Sequence, residues 1–520
     1  MGCVSPPRTP ARPGAPGLTC APGVRAGGPA DPGHTGAPAP LRAGTVDKLR
    51  YRVRHGVVKE RARILVVGGG YVGMYTALRL QRKLKRGEAE ITVVTPDPYM
   101  TYQPFLPEAA AGSISPRHVV VPLRRVLPHC RIVVGEVTAI DHGARTATLT
   151  TLATAEEGTG PRQLAYDELV LAPGSVSRAL PIPGLAEHAI GFKTVEEAIG
   201  LRNHVIEQMD IASSTRDPAI RDAALTFVFV GGGYAGVEAL GELEDMARYA
   251  SRSYHNVTPD DMKWILVEAS DRILPEVGPD LGRYTISELR RRNIDLRLNT
   301  RLESCLQRIA VLSDGSRFPT RTIVWTAGVK PHPLLAATDL PLTDRGRLRC
   351  TPELGIEGTA HAWAAGDAAA VPDLTAAPGT HTAPNAQHAL RQAKVLGDNV
   401  VRSLRGEPLR QYAHAYAGSV ASLGFHQGVA QVYGRKLKGY PAWFMHRAYH
   451  LSRVPTFNRK ARVLAEWTLS GLFKREIVSL GSLEHPRAEF ELAAGGKSSD
   501  ERTGPPGNPG SPGDEDNPKE

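Results

Sequence analysis

Two glycine turns of one pattern, Gly68-x-Gly70-x-x-Gly73 and Gly231-x-Gly233-x-x-Gly236, stand 163 residues apart in this 520-residue chain. Each follows a short apolar, largely β-branched run (ILVV and FVFV) and opens an Ala/Leu-rich stretch at helical spacing. A strand buried on both faces reads as such a run, and the glycines let the backbone turn sharply and approach a pyrophosphate. The phosphates then rest on the positive end of the following helix. A single match is weak, but two in this context demand two parallel α/β units. They predict two bound dinucleotides, the arrangement that passes a hydride from one to the other.

The chain between and around these turns orders the units. EITVVTPDPYM supplies a second strand, TYQPFLPEAAAGSISP a Pro/Gly-punctuated loop, and RIVVGEVTAIDHGARTATL and QLAYDELVLAPGS further strands that end at Gly174. A helical stretch around 195–213 leads to the second turn, WILVEASDRILPEV gives that unit its second strand, and TRTIVWTAGVKPHPLL closes it at Gly328. AHAWAAGDAAAVPD then returns to the first unit. The expected organisation is a first unit in two parts, 61–190 and 329–415, with 191–328 inserted, followed by a third region, 416–490. Residues 1–60 and 491–520 are Pro/Gly-rich and read as disordered extensions.

An acid at the end of the second strand of such a unit binds ribose hydroxyls and repels a 2′-phosphate. Glu268 fills that place in the inserted unit, 32 residues after Gly236, so a longer loop around 249–262 is expected and NADH is favoured over NADPH. An exposed strand-end glutamate is the alternative. In the first unit Thr95 ends the strand and Asp97 follows, and either can reach the ribose. Gly366 and Asp367 sit in a turn that brings backbone and a carboxylate toward a dinucleotide. The five cysteines occur singly, with no C-x-x-C pair, so a redox disulfide is not expected and a reducing compartment is. No run approaches 18 consecutive apolar residues, so any membrane contact is peripheral.

The ordered series GGGYVG, the APG turn, GGGYAGVE with Glu268, TAGV, AAGDAAA and NAQHALRQ resembles the two-dinucleotide flavoprotein oxidoreductases. It is most similar to the type II NADH dehydrogenases, single-subunit, non-pumping enzymes that pass electrons from NADH through FAD to quinone. The likeness spans about residues 62–485. It implies two Rossmann-like domains, an FAD-binding one (61–190 and 329–415) interrupted by an NADH-binding one (191–328). It also implies that Glu238 lies near nicotinamide and flavin, that Asp367 contacts FAD, and that Ala386 and Gln387 open the quinone site. Glu238 has the alternative of a solvated or salt-bridged helix residue. One position departs from the family: Arg391 stands where a second glutamine is usual, with Gln392 one place on. A larger cationic donor there leaves open two other readings, a reductase of a small electron-carrier protein and a redox sensor with little turnover.

Residues 435–475 hold ten Lys or Arg against one acid, Glu466, and so account for nearly all of the chain's net charge of +10. Trp443, Phe444, Tyr449, Leu451, Leu464, Trp467, Leu472 and Phe473 interleave at spacings that predict amphipathic helices at about 440–452 and 460–474. Such a face suits an anionic membrane surface, placing the protein in the cytoplasm on the inner face of the cell membrane. A packed subdomain or homodimer interface is the alternative. The charge is local and lacks any nucleic-acid module, so nucleic acid is not an expected partner.

Overall fold

A computed structural model describes residues 61–473 apart from 157, 415–417 and 425, together with 477 and 478. The expected extensions at 1–60 and 491–520, and part of the third region, lie outside the described residues.

Continuous apolar runs become interior strands. Ala62–Val67 (β1) buries Ile64 to Val67 and passes through the first glycine turn into Tyr71–Lys83 (α1). Ala89–Thr95 (β2) follows, then the short helix Leu106–Ala110 (α2). Arg131–Asp141 (β3), Thr146–Thr151 (β4), Arg162–Ala165 (β5) and Glu168–Leu171 (β6) complete this stretch.

The chain leaves through Ser175–Ser177 (β7) and builds Ala189–Gly191 (β8), Val195–Ser214 (α3), Thr226–Val230 (β9), Tyr234–Ala250 (α4) and Lys263–Val267 (β10). Pro279–Arg291 (α5), Ile294–Arg297 (β11) and Thr322–Trp325 (β12) finish that unit. α3 starts in a full capping box, Thr194 accepting from the Glu197 amide, which explains why the helix begins where its periodicity does. The return is made by Val329–Pro331 (β13), Ala362–Ala364 (β14) and Ala386–Arg405 (α6).

The first sheet runs β14-β6-β1-β2-β3-β4-β5, parallel from β14 to β3 and antiparallel beyond. The second runs β8-β12-β9-β10-β11, parallel throughout. The outgoing β7 and returning β13 pair antiparallel, so the two crossings between the sheets brace each other. β8 pairs in the second sheet although Ala189 and Ile190 precede the boundary expected from the sequence; its register against β12 (Ala189 with Ile323) decides this.

α6 crosses α1 closely. A Cβ on Gly397 would lie 2.8 Å from the Arg79 Cβ, so only glycine permits the approach. The first turns of both helices thereby meet the Gly366–Asp367 loop. Gly418–Ser422 (β15), Gly428–Val432 (β16) and Arg435–Lys438 (β17) form an antiparallel sheet on which Tyr440–Arg453 (α7) packs, followed by Phe457–Leu472 (α8).

Candidate active site

The two glycine turns are built alike at their outer and middle glycines. Gly68 and Gly231 adopt φ of +101° and +116°, which side chains resist. A Cβ on Gly73 would fall 1.8 Å from the Gly68 carbonyl oxygen, and one on Gly236 would fall 2.0 Å from that of Gly231. Around Gly70 and Gly233, by contrast, an added Cβ would meet nothing within 4 Å. The outer glycines are required by the protein's own packing, while the middle ones face open space at the start of α1 and α4. That is the shape a pyrophosphate fits.

Glu268 closes the second cradle. Its Oε2 accepts from the Gly232 amide at 2.5 Å, and its Oε1 accepts from the Ser270 amide and hydroxyl at 2.8 and 2.7 Å. The carboxylate is thus fixed at the end of β10 by the cradle's own backbone. In the first unit Thr95 is buried, its Oγ1 only 2.7 Å from where a Cβ on Gly69 would lie, whereas Asp97 stands exposed beyond the strand.

Asp367 sits on a chain of hydrogen bonds that no local pattern announces. Ser175 Oγ donates to its Oδ2 at 2.6 Å and Lys193 Nζ donates to Ser175 Oγ at 2.7 Å. Burial lowers the Lys193 ammonium, while the charges of Asp367 and Glu197 pull it back up. The adjacent Gly366 amide donates to Gln392 Oε1 at 2.8 Å, and Gln392 in turn donates to Thr382. Gln392 therefore holds the Asp367 turn rather than lining an acceptor site. Gly174 and Gly328 lie at the edges of the crossing strands with φ of +79° and +91°.

At the start of α6, Asn385 caps the His388 amide at 2.9 Å, and by position the amides of Ala386 and Gln387 have no intrahelical partner. Gln387 Nε2 donates to the Gly418 carbonyl at 3.2 Å, and Arg391 folds back to donate to the Gln387 carbonyl at 2.9 Å. Burial first, then the Arg391 charge, lowers His414; burial, partly opposed by Asp373, with a further push from Arg391, lowers His388.

Glu238 is buried at the other end of β15. Its Oε1 accepts from the Ser422 amide at 2.9 Å and lies 3.2 Å from His446 Nε2. One helical turn on, Glu242 accepts from Ser422 Oγ at 2.8 Å; burial, then the Glu108 charge, pushes its carboxyl up to about 7. Gln387 and Glu238 thus grip one strand, at Gly418 and Ser422.

The sequence from 62 to 393 matches the pyridine nucleotide-disulphide oxidoreductase family. A type II NADH:quinone oxidoreductase of Staphylococcus epidermidis is 30% identical over 397 residues, 75% of this chain and 94% of that protein. The chain belongs to the type II NADH:quinone oxidoreductases. A relative of the same description from Staphylococcus aureus is 29% identical over 75% of this chain and 94% of its own length. The solved structure of NDH2 from Plasmodium falciparum in complex with NADH superposes with a TM-score of 0.73 at 16% identity, over 80% of this chain and all of that one. The sulfide:quinone oxidoreductase of Aquifex aeolicus shares the fold at a TM-score of 0.61 and 18% identity, over 80% of this chain and 96% of that one.

Within this type II framework the described cysteines are free thiols, and burial pushes Cys130, Cys305 and Cys350 up, away from the reactive thiolate. The basic C-terminal stretch divides differently from its sequence pattern. Arg447 turns inward onto Glu108 at 3.2 Å, its guanidinium 4.1 Å from the Trp443 ring centroid and 4.8 Å from that of Trp467. Trp443 is accordingly buried and Trp467 half-buried, its indole N–H turned onto Glu108, because the carboxylate buried in α2 needs a cation and a donor. Phe444, Phe457, Leu464, Leu469, Leu472 and Phe473 remain exposed. Lys474 and Arg475 lie outside the described residues.

Proposed function

We propose that this chain is an FAD-dependent oxidoreductase that moves reducing equivalents from NADH to a quinone without pumping protons. The observation that carries the reading is the pair of similarly built cradles, each at the carboxyl end of parallel strands and each open only at its middle glycine. FAD, when bound, supplies the redox centre that accepts hydride and passes electrons to the acceptor.

The chain's own residues then divide the work. Gly68, Gly70 and Gly73 hold the FAD pyrophosphate, and Asp97, exposed where Thr95 is buried, takes the adenosine ribose. Gly174, Gly366 and Asp367 approach the other half of FAD, with Lys193 and Ser175 orienting the Asp367 carboxylate. The α6 amides at Ala386 and Gln387 present positive dipole where charge develops on reduction. Gly231, Gly233 and Gly236 hold the NADH pyrophosphate, Gly328 lies beside it, and Glu268 holds the adenosine ribose and repels a 2′-phosphate. Glu238 holds β15 beside the reacting groups, and Gln387 and Arg391 form the acceptor side. We take 191–328 as the NADH-binding domain, extended to include β8, and 61–190 with 329–415 as the FAD-binding domain.

No helix among the described residues is long and apolar enough to cross a membrane. α8 turns Val463 and Trp467 inward and leaves Phe457, Leu464 and Leu472 outward among basic residues, which supports attachment to an anionic membrane surface on its cytoplasmic side.

Anaerobic stopped-flow on the FAD-loaded protein tests the reading. Fast reduction of flavin by NADH, slow reduction by NADPH and fast reoxidation by a menaquinone analogue are expected. Fast reduction with no response to quinone would overturn the acceptor assignment and leave the NADH half standing.

A further inference from the structure

A groove of about 510 Å³ lies between α1, α6 and the connection from α7 to α8, apart from both cradles. Arg79, Arg82, Lys394, Arg453 and Lys460 line it. One acid offsets them: Asp398 binds Arg79 through two hydrogen bonds of 2.7 and 2.9 Å. Lys460 Nζ donates to the Ser452 carbonyl at 2.7 Å, and Arg453 rests over the Tyr449 ring. Arg82 and Lys394 are exposed and form no ion pair among the described residues. Like charges gathered in a concave site repel one another and focus the field outward, which an anion relieves.

The rest of the lining says which anion. Tyr75, Leu78, Leu390 and Phe457 add apolar surface to the same lining. Phe457 is 84% exposed and begins the outward face of α8, which continues through Leu464 to Leu472, itself 73% exposed. A groove that mixes five cations with apolar side chains and includes the exposed Phe457 matches a phosphodiester with acyl chains attached. A neutral quinone ring would leave the charges uncompensated, and a free phosphate would leave the apolar part of the lining in water.

We propose that this groove binds the phosphate headgroup of one anionic phospholipid, with an acyl chain lying along Phe457. The proposal rests on the membrane-surface reading above and makes it specific. Leu390 and Lys394 follow Gln387 and Arg391 on α6 within two helical turns, so a seated lipid steadies the helix that carries the acceptor-side residues.

The test titrates the full-length, FAD-loaded protein with short-chain dihexanoyl phosphatidylglycerol below its micelle concentration, with dihexanoyl phosphatidylcholine, and with inorganic phosphate. Saturable one-to-one binding of the phosphatidylglycerol alone is expected. Arg82→Gln/Lys394→Gln weakens it on the order of thirty-fold. Lys438→Gln/Arg462→Gln, which removes the same charge outside the groove, leaves it within about two-fold. No saturable binding, equal binding of inorganic phosphate, or equal losses in the two double variants would each overturn the proposal. Flotation with phosphatidylcholine–phosphatidylglycerol vesicles separates the two levels: failure to float sinks the membrane-surface reading, while floating without saturable short-chain binding sinks only the groove.

Discussion

Replacing Gly233 by alanine separates the ligand's requirement from the protein's own. Gly233 has φ of −75° and ψ of −177°, backbone that alanine adopts without strain, and its added Cβ meets nothing within 4 Å. The protein without NADH is therefore expected to unfold at the same temperature as wild type or slightly higher, since losing a glycine's freedom in the unfolded chain stabilises by about 0.4–1 kcal/mol. The methyl group nonetheless occupies the space where the pyrophosphate must touch the α4 amides. Losing one charge-assisted hydrogen bond there costs about 1.5–3 kcal/mol, so NADH binding weakens roughly 10- to 100-fold. FAD content stays unchanged, because the other cradle is untouched. Gly236→Ala is the contrasting variant: its Cβ would sit 2.0 Å from the Gly231 carbonyl, and relieving that clash costs about 1–3 kcal/mol or more. Differential scanning fluorimetry of each variant and stopped-flow flavin reduction across NADH concentrations give both numbers. A folded Gly233→Ala protein that is reduced at wild-type NADH affinity would refute the argument.

Other expectations rest on different parts of the molecule. Glu268→Gln removes the charge that a 2′-phosphate meets at the mouth of the second cradle, and the NADPH-to-NADH ratio of kcat/KM is expected to rise about tenfold; an unchanged ratio would mean the carboxylate only braces Gly232. Glu242, pushed up to about 7 by burial and by Glu108, titrates near about 4.3 when unfolded. Between those values the folded state keeps a proton that the unfolded state has lost, so stability falls as pH rises through this window. His446 acts with the same sign: burial works against its imidazolium, but Glu238, Glu108 and Glu242 outweigh it, and its contribution, complete below the unfolded value, fades as pH rises. Glu242→Gln should flatten the dependence of Tm on pH between about 5 and 7, and an equally steep profile would contradict this. Arg447→Met leaves the Glu108 carboxylate buried without its cation and should cost about 3–5 kcal/mol in urea unfolding; Glu108→Gln in the same chain should recover most of it, and no recovery would argue against the ion pair as the cause.

The sequence by itself determined both cradles, their order and the strand-end glutamate, because each is a local device. An apolar run, three glycines and the start of a helix lie within about a dozen residues, so the pattern that marks each turn is complete in its own segment, while the strands it pairs with and the Ala172 and Thr326 backbone it packs against come from elsewhere. The same holds for α3, whose capping box and periodicity both fall within the segment, and for α7 and α8, which begin and end within a few residues of their expected bounds.

What only the tertiary structure decided are contacts between residues far apart in the chain. Lys193, Ser175 and Asp367 join across 192 residues, and Gln392 reaches the Gly366 amide across 26. Arg447 shows the reason most clearly. Along the chain it is one cation in a basic run, indistinguishable from neighbours that face solvent. In the fold it meets Glu108 from 339 residues away, because a carboxylate buried by the packing of α2 draws in a cation and a tryptophan N–H. A charge pattern along one segment records how many charges it has, while the direction each one faces is set by the desolvation of a partner that the segment does not contain.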